Sequence, residues 1–114
     1  ALIISSFVFM VMHLGNPNIG ILPLVNLFLA GIFLGVYRIH KNNLWFPIGA
    51  HLMWNYLQGP IYGFEVSGNK INSLFEQKLK GHELLTGGNF GYEGSIILTV
   101  FLIISIFLMD KRFR

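Results

Sequence analysis

The chain lacks cysteine altogether and is poor in charged residues. Only 11% of its 114 residues are Asp, Glu, Lys or Arg, whereas soluble domains carry about 25%. The absence of cysteine excludes a disulfide framework and every thiolate metal site. Hydrophobic residues make up 54% of the chain. Because so short a chain buries only part of its surface, it would expose large apolar patches in water. We therefore expect an integral membrane protein.

The apolar residues group into four stretches, separated by turn-forming or polar segments. They cover residues 1–14, 19–37, 44–62 and 94–109. A membrane-spanning helix needs roughly 20 residues. The expected fold is therefore all-α, a multi-pass transmembrane helical bundle with about four membrane segments. The first stretch is short and has no basic region ahead of it, so we expect it to be the end of a helix that begins earlier and the chain to be a fragment.

The segments between the stretches carry most of the charge. Residues 38–43 predict a basic loop, and residues 71–79 a short amphipathic helix. If the stretches alternate across a membrane, five of the eight Lys and Arg residues share one face. The positive-inside rule makes that face cytoplasmic. Within the second stretch, Gly31 and Gly35 form a small-x-x-x-small pair that would let another helix approach closely.

Three polar side chains stand in or at the end of these stretches, where such groups are costly and usually face a cavity or a partner. His13 ends the first stretch, and His51 and Asn55 lie within the third. A spacing of four puts His51 and Asn55 on one helical face, about 6 Å apart along the axis. A membrane histidine can also serve only as a helix–helix hydrogen bonder. We expect His40 and His82 to be solvated in loops.

This polar set has part of what amide hydrolysis requires, namely an activated water and donors that stabilise the oxyanion. His13 is suited to position or deprotonate a water, because imidazole titrates near neutral pH. His51 and Asn55 are paired as oxyanion donors. The set lacks a carboxylate base, since no acid falls inside an apolar stretch. Glu93 precedes the last stretch, where we expect it to cap a helix.

The motifs carry a family resemblance. Phe9-x-x-x-His13, and His51-x-x-x-Asn55 after the lead-in Leu44-Trp45-Phe46-Pro47-Ile48, resemble the second and third motifs of the CPBP family. This is the CAAX protease and bacteriocin-processing family, also called Abi or type II CAAX prenyl endopeptidase-like. The segment at residues 85–94 resembles bacterial members. The family's first motif, Glu-Glu-x-x-x-Arg, is missing; in the family it lies ahead of the Phe-x-x-x-His helix. Residues 1–114 are thus expected to be a partial domain.

The resemblance implies an intramembrane endopeptidase in which the absent glutamate and His13 activate water while His51 and Asn55 stabilise the oxyanion. Prenylated C-termini, bacteriocin leader peptides and other membrane-associated proteins are all open as substrates. The implied partners are the lipid bilayer and that substrate, with no nucleic acid, in a bacterial cytoplasmic membrane. The fragment alone is expected to be inactive.

No cofactor is expected, because two histidines without a nearby carboxylate do not complete a zinc site. Zinc stays open if the family is metal-dependent. Two alternatives remain: a non-catalytic scaffold or immunity protein of the same fold, and a transporter fragment. A shared site also has a geometric requirement. The first helix must end inside the membrane for His13 to reach the level of His51.

Overall fold

Five α-helices and no β-strand make up the fold in the computed structural model, which describes residues 1–114. The helices are α1 (Leu2–Val11), α2 (Ile21–Lys41), α3 (Trp45–Tyr56), α4 (Glu83–Thr86) and α5 (Ile96–Phe113). Four of them coincide with the four apolar stretches, so the all-α prediction is confirmed. A π-helical turn, Leu57–Ile61, continues α3, and two 3-10 turns, Gly88–Phe90 and Tyr92–Gly94, lead into α5.

Helix α2 is the centre of the bundle, with α1 and α5 making its largest interfaces. The approach of α1 depends on Gly31, because a Cβ at that position would lie 2.9 Å from the Ser6 Cα. At Gly35 a Cβ would collide with the Leu2 side chain. The close helix approach predicted from this glycine pair is confirmed, and α1 is the helix that uses it.

Length and composition mark one helix as able to cross a membrane, and that helix is α2. Helix α5 has 18 residues but carries Asp110, Lys111 and Arg112 near its end. Helices α1 and α3 have 10 and 12 residues. One membrane-length helix is thus present, and the expectation of about four membrane segments stays a prediction for the rest of the chain.

Two segment predictions are wrong. Residues 38–41, expected in a basic loop, form the last turn of α2, which ends at Asn42 in the left-handed region with φ 50°. Cations are favourable at a helix C-terminus, so the basic residues extend the helix. Residues 71–79 form no helix. Their backbone bonds to the π-helical turn instead: Leu74 N–H donates to the Pro60 carbonyl at 2.9 Å, and Phe75 N–H donates to the Ile61 carbonyl at 3.1 Å.

His40 is also not solvated as predicted. Since α2 continues past it, its Nε2 reaches α5 and donates to Asp110 Oδ1 at 2.9 Å. Arg114 lies 2.8 Å from the other carboxylate oxygen. The hydrogen bonds from His40 and then Arg114 hold the pKa of Asp110 below its usual value. The C-terminal ends of α2 and α5 are therefore joined. His82 is exposed as expected, and its Nδ1 caps α4 by accepting from Leu84 N–H at 3.2 Å.

Candidate functional site

A cavity of about 300 Å³ lies between α1, α2, α3 and α5. This is at the small end of ligand-binding cavities. Apolar side chains form most of its wall, with the largest shares from α2 and α5. Six residues bring polar side-chain groups to it: His13, Asn26, His51, Trp54, Ser67 and Glu93. The cavity therefore combines an apolar wall with a few polar groups that come from several separate segments of the chain.

His13 lies where α1 unwinds. Its backbone N–H donates to Met10 at 3.0 Å instead of continuing the α-helical pattern, which leaves the Phe9 carbonyl to the imidazole, whose Nδ1 lies 2.7 Å away. A carbonyl can only accept a hydrogen bond, so Nδ1 carries the proton. In the neutral ring the free lone pair is then on Nε2. That is the atom able to accept a proton or orient a water.

Phe9 packs against both histidines. The centroid of its ring lies 4.7 Å from that of His13 and 5.6 Å from that of His51. The centres of the two imidazoles are thus separated by no more than the sum of these two distances. His13 lies in the turn after α1 and His51 lies on α3. The structure brings His13 and His51 to one cavity.

Asn55 is placed differently from the two histidines. It follows His51 by one turn on α3 and is half-buried, but it is not part of the cavity wall. The catalytic roles of all three residues stay predictions.

Glu93 is not the helix cap that its sequence position suggested. Ser95 caps α5, its Oγ accepting from Leu98 N–H at 3.2 Å. The Glu93 carboxylate is buried at the cavity instead. Its Oε1 accepts from the Trp54 indole at 2.9 Å, and its Oε2 accepts from the backbone N–H and the hydroxyl of Ser67 at 2.8 and 2.9 Å.

Asn26 is a second residue of the cavity that was not predicted from the sequence. Its amide donates to the carbonyls of Glu93 at 2.7 Å and Ser95 at 2.9 Å, and its oxygen accepts from the Thr99 hydroxyl. A signal for it existed, because Asn26 is the one carboxamide in an otherwise apolar run of α2, and such groups hydrogen-bond across helices. Glu93 gave no comparable signal, since it stands among glycines outside every apolar stretch.

Tyr92 packs beside the carboxylate. Its ring lies 5.4 Å from that of Trp54 and 5.0 Å from that of Phe64, both edge-on. Burial, and then the negative charge of Glu93, raises the pKa of Tyr92 to about 12. The phenol stays neutral at physiological pH and shields one side of the Trp54–Glu93 contact.

The donor set does not fit a zinc ion. Zinc sites use at least three protein ligands of the His, Cys, Asp and Glu kind, and no group of three such side chains lies close enough together. His13 has committed Nδ1 to Phe9, and both Glu93 oxygens are taken by Trp54 and Ser67. These side chains therefore do not complete a zinc site by themselves.

The fold and the cavity define a class of protein: an apolar helical protein in which polar side chains converge on one pocket between the helices. A family model, described as type II CAAX prenyl endopeptidase Rce1-like, matches residues 1–57. The chain belongs to this family. The match spans α1 to α3 and so includes both histidine motifs, which confirms the resemblance drawn from them. It ends ahead of residues 85–94, whose likeness to bacterial members stays a prediction. No curated protein and no solved structure matches the chain significantly.

Proposed function

We propose that this chain is part of an intramembrane endopeptidase in which His13 and His51 act on one peptide bond. The observation that carries the proposal is their arrangement on one apolar cavity, with Phe9 in contact with both. His13 has the suitable tautomer, because its Nδ1–H is fixed on a carbonyl and its Nε2 is free to orient and deprotonate a water. A water held in a low-dielectric pocket also interacts more strongly with fixed donors.

We assign to His51 the stabilisation of the oxyanion in the tetrahedral intermediate. Asn55 assists His51 in this role, as the family resemblance implies. Because Asn55 is outside the cavity wall, its role has less geometric support than that of His51. The carboxylate base is assigned to a glutamate ahead of residue 1, where the family places its first motif. Residues 1–114 alone are accordingly inactive in this proposal.

A multi-pass arrangement in a membrane is part of the proposal. Large apolar side chains are exposed on the outer faces of α1 and α5, such as Ile4 at 70% and Phe107 at 66%. The basic ends of α2 and α5 also meet: besides the His40–Asp110 bond, Lys41 Nζ lies 4.5 Å from the centre of the Phe113 ring. This supports a single basic face at the cytoplasmic side. The substrates are membrane-associated, prenylated or leader-peptide-bearing polypeptides, and the membrane is the bacterial cytoplasmic one.

The test is cleavage of a prenylated peptide and of a leader-peptide substrate by the full-length protein with His51→Ala. Removing one oxyanion donor lowers kcat by about 10²–10³-fold in well-studied hydrolases, and a loss of that size is expected. His82→Ala is the matched control, because that histidine is exposed and lies outside the cavity wall, and it should cleave at the rate of the unmodified protein.

Asn55→Ala tests the third assignment separately. A loss of about tenfold or more is the expected result, whereas an unchanged rate would remove Asn55 from the site and leave the histidines in place. Full cleavage by His51→Ala would overturn the proposed function, because it would remove His51 from the site. No cleavage of either substrate by the unmodified full-length protein would favour the non-catalytic scaffold.

A further inference from the structure

Glu93 carries a buried carboxylate that no basic side chain neutralises. It is 9% exposed, and neither ion pair of the structure involves it. Burying a carboxylate is costly unless hydrogen bonds compensate. Here three donors do so, the Trp54 indole N–H and the N–H and O–H of Ser67. All three are neutral donors to an ionised acceptor, the arrangement that gives hydrogen bonds of roughly twice the usual strength.

The three hydrogen bonds join three segments of the chain at one end of the cavity. Trp54 belongs to α3, Ser67 to the long segment between the π-helical turn and α4, and Glu93 itself to the 3-10 turn ahead of α5. The backbone of Glu93 is tied in turn to α2, because its carbonyl accepts from Asn26 at 2.7 Å. The carboxylate is thus a fixed point against which α3 can be oriented.

Trp54 follows His51 by three residues on α3, so their side chains lie on the same face of the helix, about one turn apart. Both line the cavity. A bond that holds the Trp54 indole therefore also fixes the rotation of α3 and the direction of the His51 ring. The direct interface of α3 with α2 is much smaller than that of α1 or α5, so this bond adds a restraint to a helix that is otherwise held by few contacts with α2.

We propose that Glu93 is a positioning residue for His51, which acts by anchoring the Trp54 indole and with it the cavity face of α3. The inference deepens the proposed function and rests on it. Positioning matters because a misplacement of about 1 Å can cost about 10²-fold in rate.

Glu93→Gln probes the anchor with little change in volume. A carboxamide has one acceptor oxygen and one donor group, so its NH₂ must face either Trp54 or Ser67, both of which also donate. One side of the anchor is lost in either orientation. Trp54→Phe removes the indole N–H from the other end, together with part of the ring, and leaves Glu93 with both Ser67 donors. Glu83→Gln is the matched control, because Glu83 is an exposed glutamate of the same region and makes no side-chain hydrogen bond.

In the full-length protein, Glu93→Gln is expected to lower kcat by about 10- to 100-fold. KM should change by less than about threefold, because the apolar wall that binds substrate is untouched. Trp54→Phe should produce a similar kcat loss, and the double variant should be no slower than the slower single one, since both changes interrupt one chain of contacts from Ser67 through Glu93 to Trp54. Glu83→Gln should keep both constants.

The outcomes separate the two proposals. If His51→Ala abolishes cleavage while Glu93→Gln or a folded Trp54→Phe variant keeps kcat within about twofold, the positioning role is overturned and the proposed function stands. A kcat loss that is additive in the double variant also overturns it. If His51→Ala itself cleaves normally, the proposed function fails and the positioning role with it. Should Glu93→Gln not fold, Trp54→Phe decides the question alone.

Discussion

Replacing Asn26 by Leu should weaken the junction between α2 and the start of α5. The side chain is 1% exposed and makes three hydrogen bonds, to the Glu93 and Ser95 carbonyls and from the Thr99 hydroxyl. Leu has a similar size and fills the same space, so packing is largely kept and the polar contacts are lost.

The consequences differ among the three partners. The Ser95 carbonyl keeps two other donors, the backbone N–H of Thr99 at 3.3 Å and its hydroxyl at 3.2 Å. The Thr99 hydroxyl keeps Ser95 as its acceptor. The Glu93 carbonyl accepts from Asn26 alone and is left without a partner. Interhelical hydrogen bonds in membranes are worth about 0.6 kcal/mol on average, whereas an orphaned buried group costs about 1–3 kcal/mol. We expect Asn26→Leu to lower the free energy of unfolding by about 2–4 kcal/mol.

The measurement is equilibrium unfolding in detergent, followed by helical circular dichroism. Thr99→Ser is the matched control: it keeps the hydroxyl that bonds Asn26 and Ser95 and removes only a methyl group, so it should cost about 1 kcal/mol or less. A loss with Asn26→Leu no larger than that with Thr99→Ser would refute the reasoning, because it would mean that the Glu93 carbonyl does not depend on Asn26.

Two further predictions concern helix packing and titration. Gly31→Val should lower the unfolding free energy by about 1–3 kcal/mol in the same assay, because it overpacks the contact with α1, whereas Gly49→Ala should not destabilise the protein, since a Cβ there meets nothing within 4 Å. The absorbance of tyrosinate should show one group titrating near the pKa of about 12 assigned to Tyr92, above its usual 10.0, and Tyr92→Phe should remove it. Because the folded pKa is the higher one, the stability that this group contributes is complete below pH 10 and is lost as the pH rises through about 12. If the group that Tyr92→Phe removes titrates at the usual value, the burial of this phenol is contradicted.

The helices could be predicted from the sequence because local pattern decides them. The turn cluster after His13 ended α1 close to the expected place, and the glycine pair in α2 marked the face that α1 occupies. That His13 and His51 line one cavity also follows from local features. These are the early end of α1 and the position of His51 along α3. Helix ends were less accurate: α2 continues through Lys41, since charge at a helix C-terminus is favourable and a basic run need not be a loop.

The region between α3 and α5 could not be predicted in the same way. Its structure depends on contacts between residues far apart in the chain, such as the bond from Ser67 to Glu93 and that from Leu74 to the π-helical turn. The periodicity of apolar residues in the sequence does not predict such contacts. The amphipathic pattern at residues 71–79 was therefore misleading, because its backbone hydrogen bonds go to another segment, and the burial of Glu93 left no trace in composition.

What places Glu93 at the cavity is the backbone ahead of it. Gly91 has a φ of 95°, in the left-handed region that favours glycine, and a Cβ at this position would overlap the carbonyl oxygen of Glu65. The chain can thus turn sharply beneath that segment and direct the next acidic side chain inward, towards Trp54 and Ser67. An acid that looks like a helix cap in the sequence becomes part of the cavity through this turn. The glycines of residues 87–94 are therefore tied to the site through Glu93, even though none of them contributes a functional group.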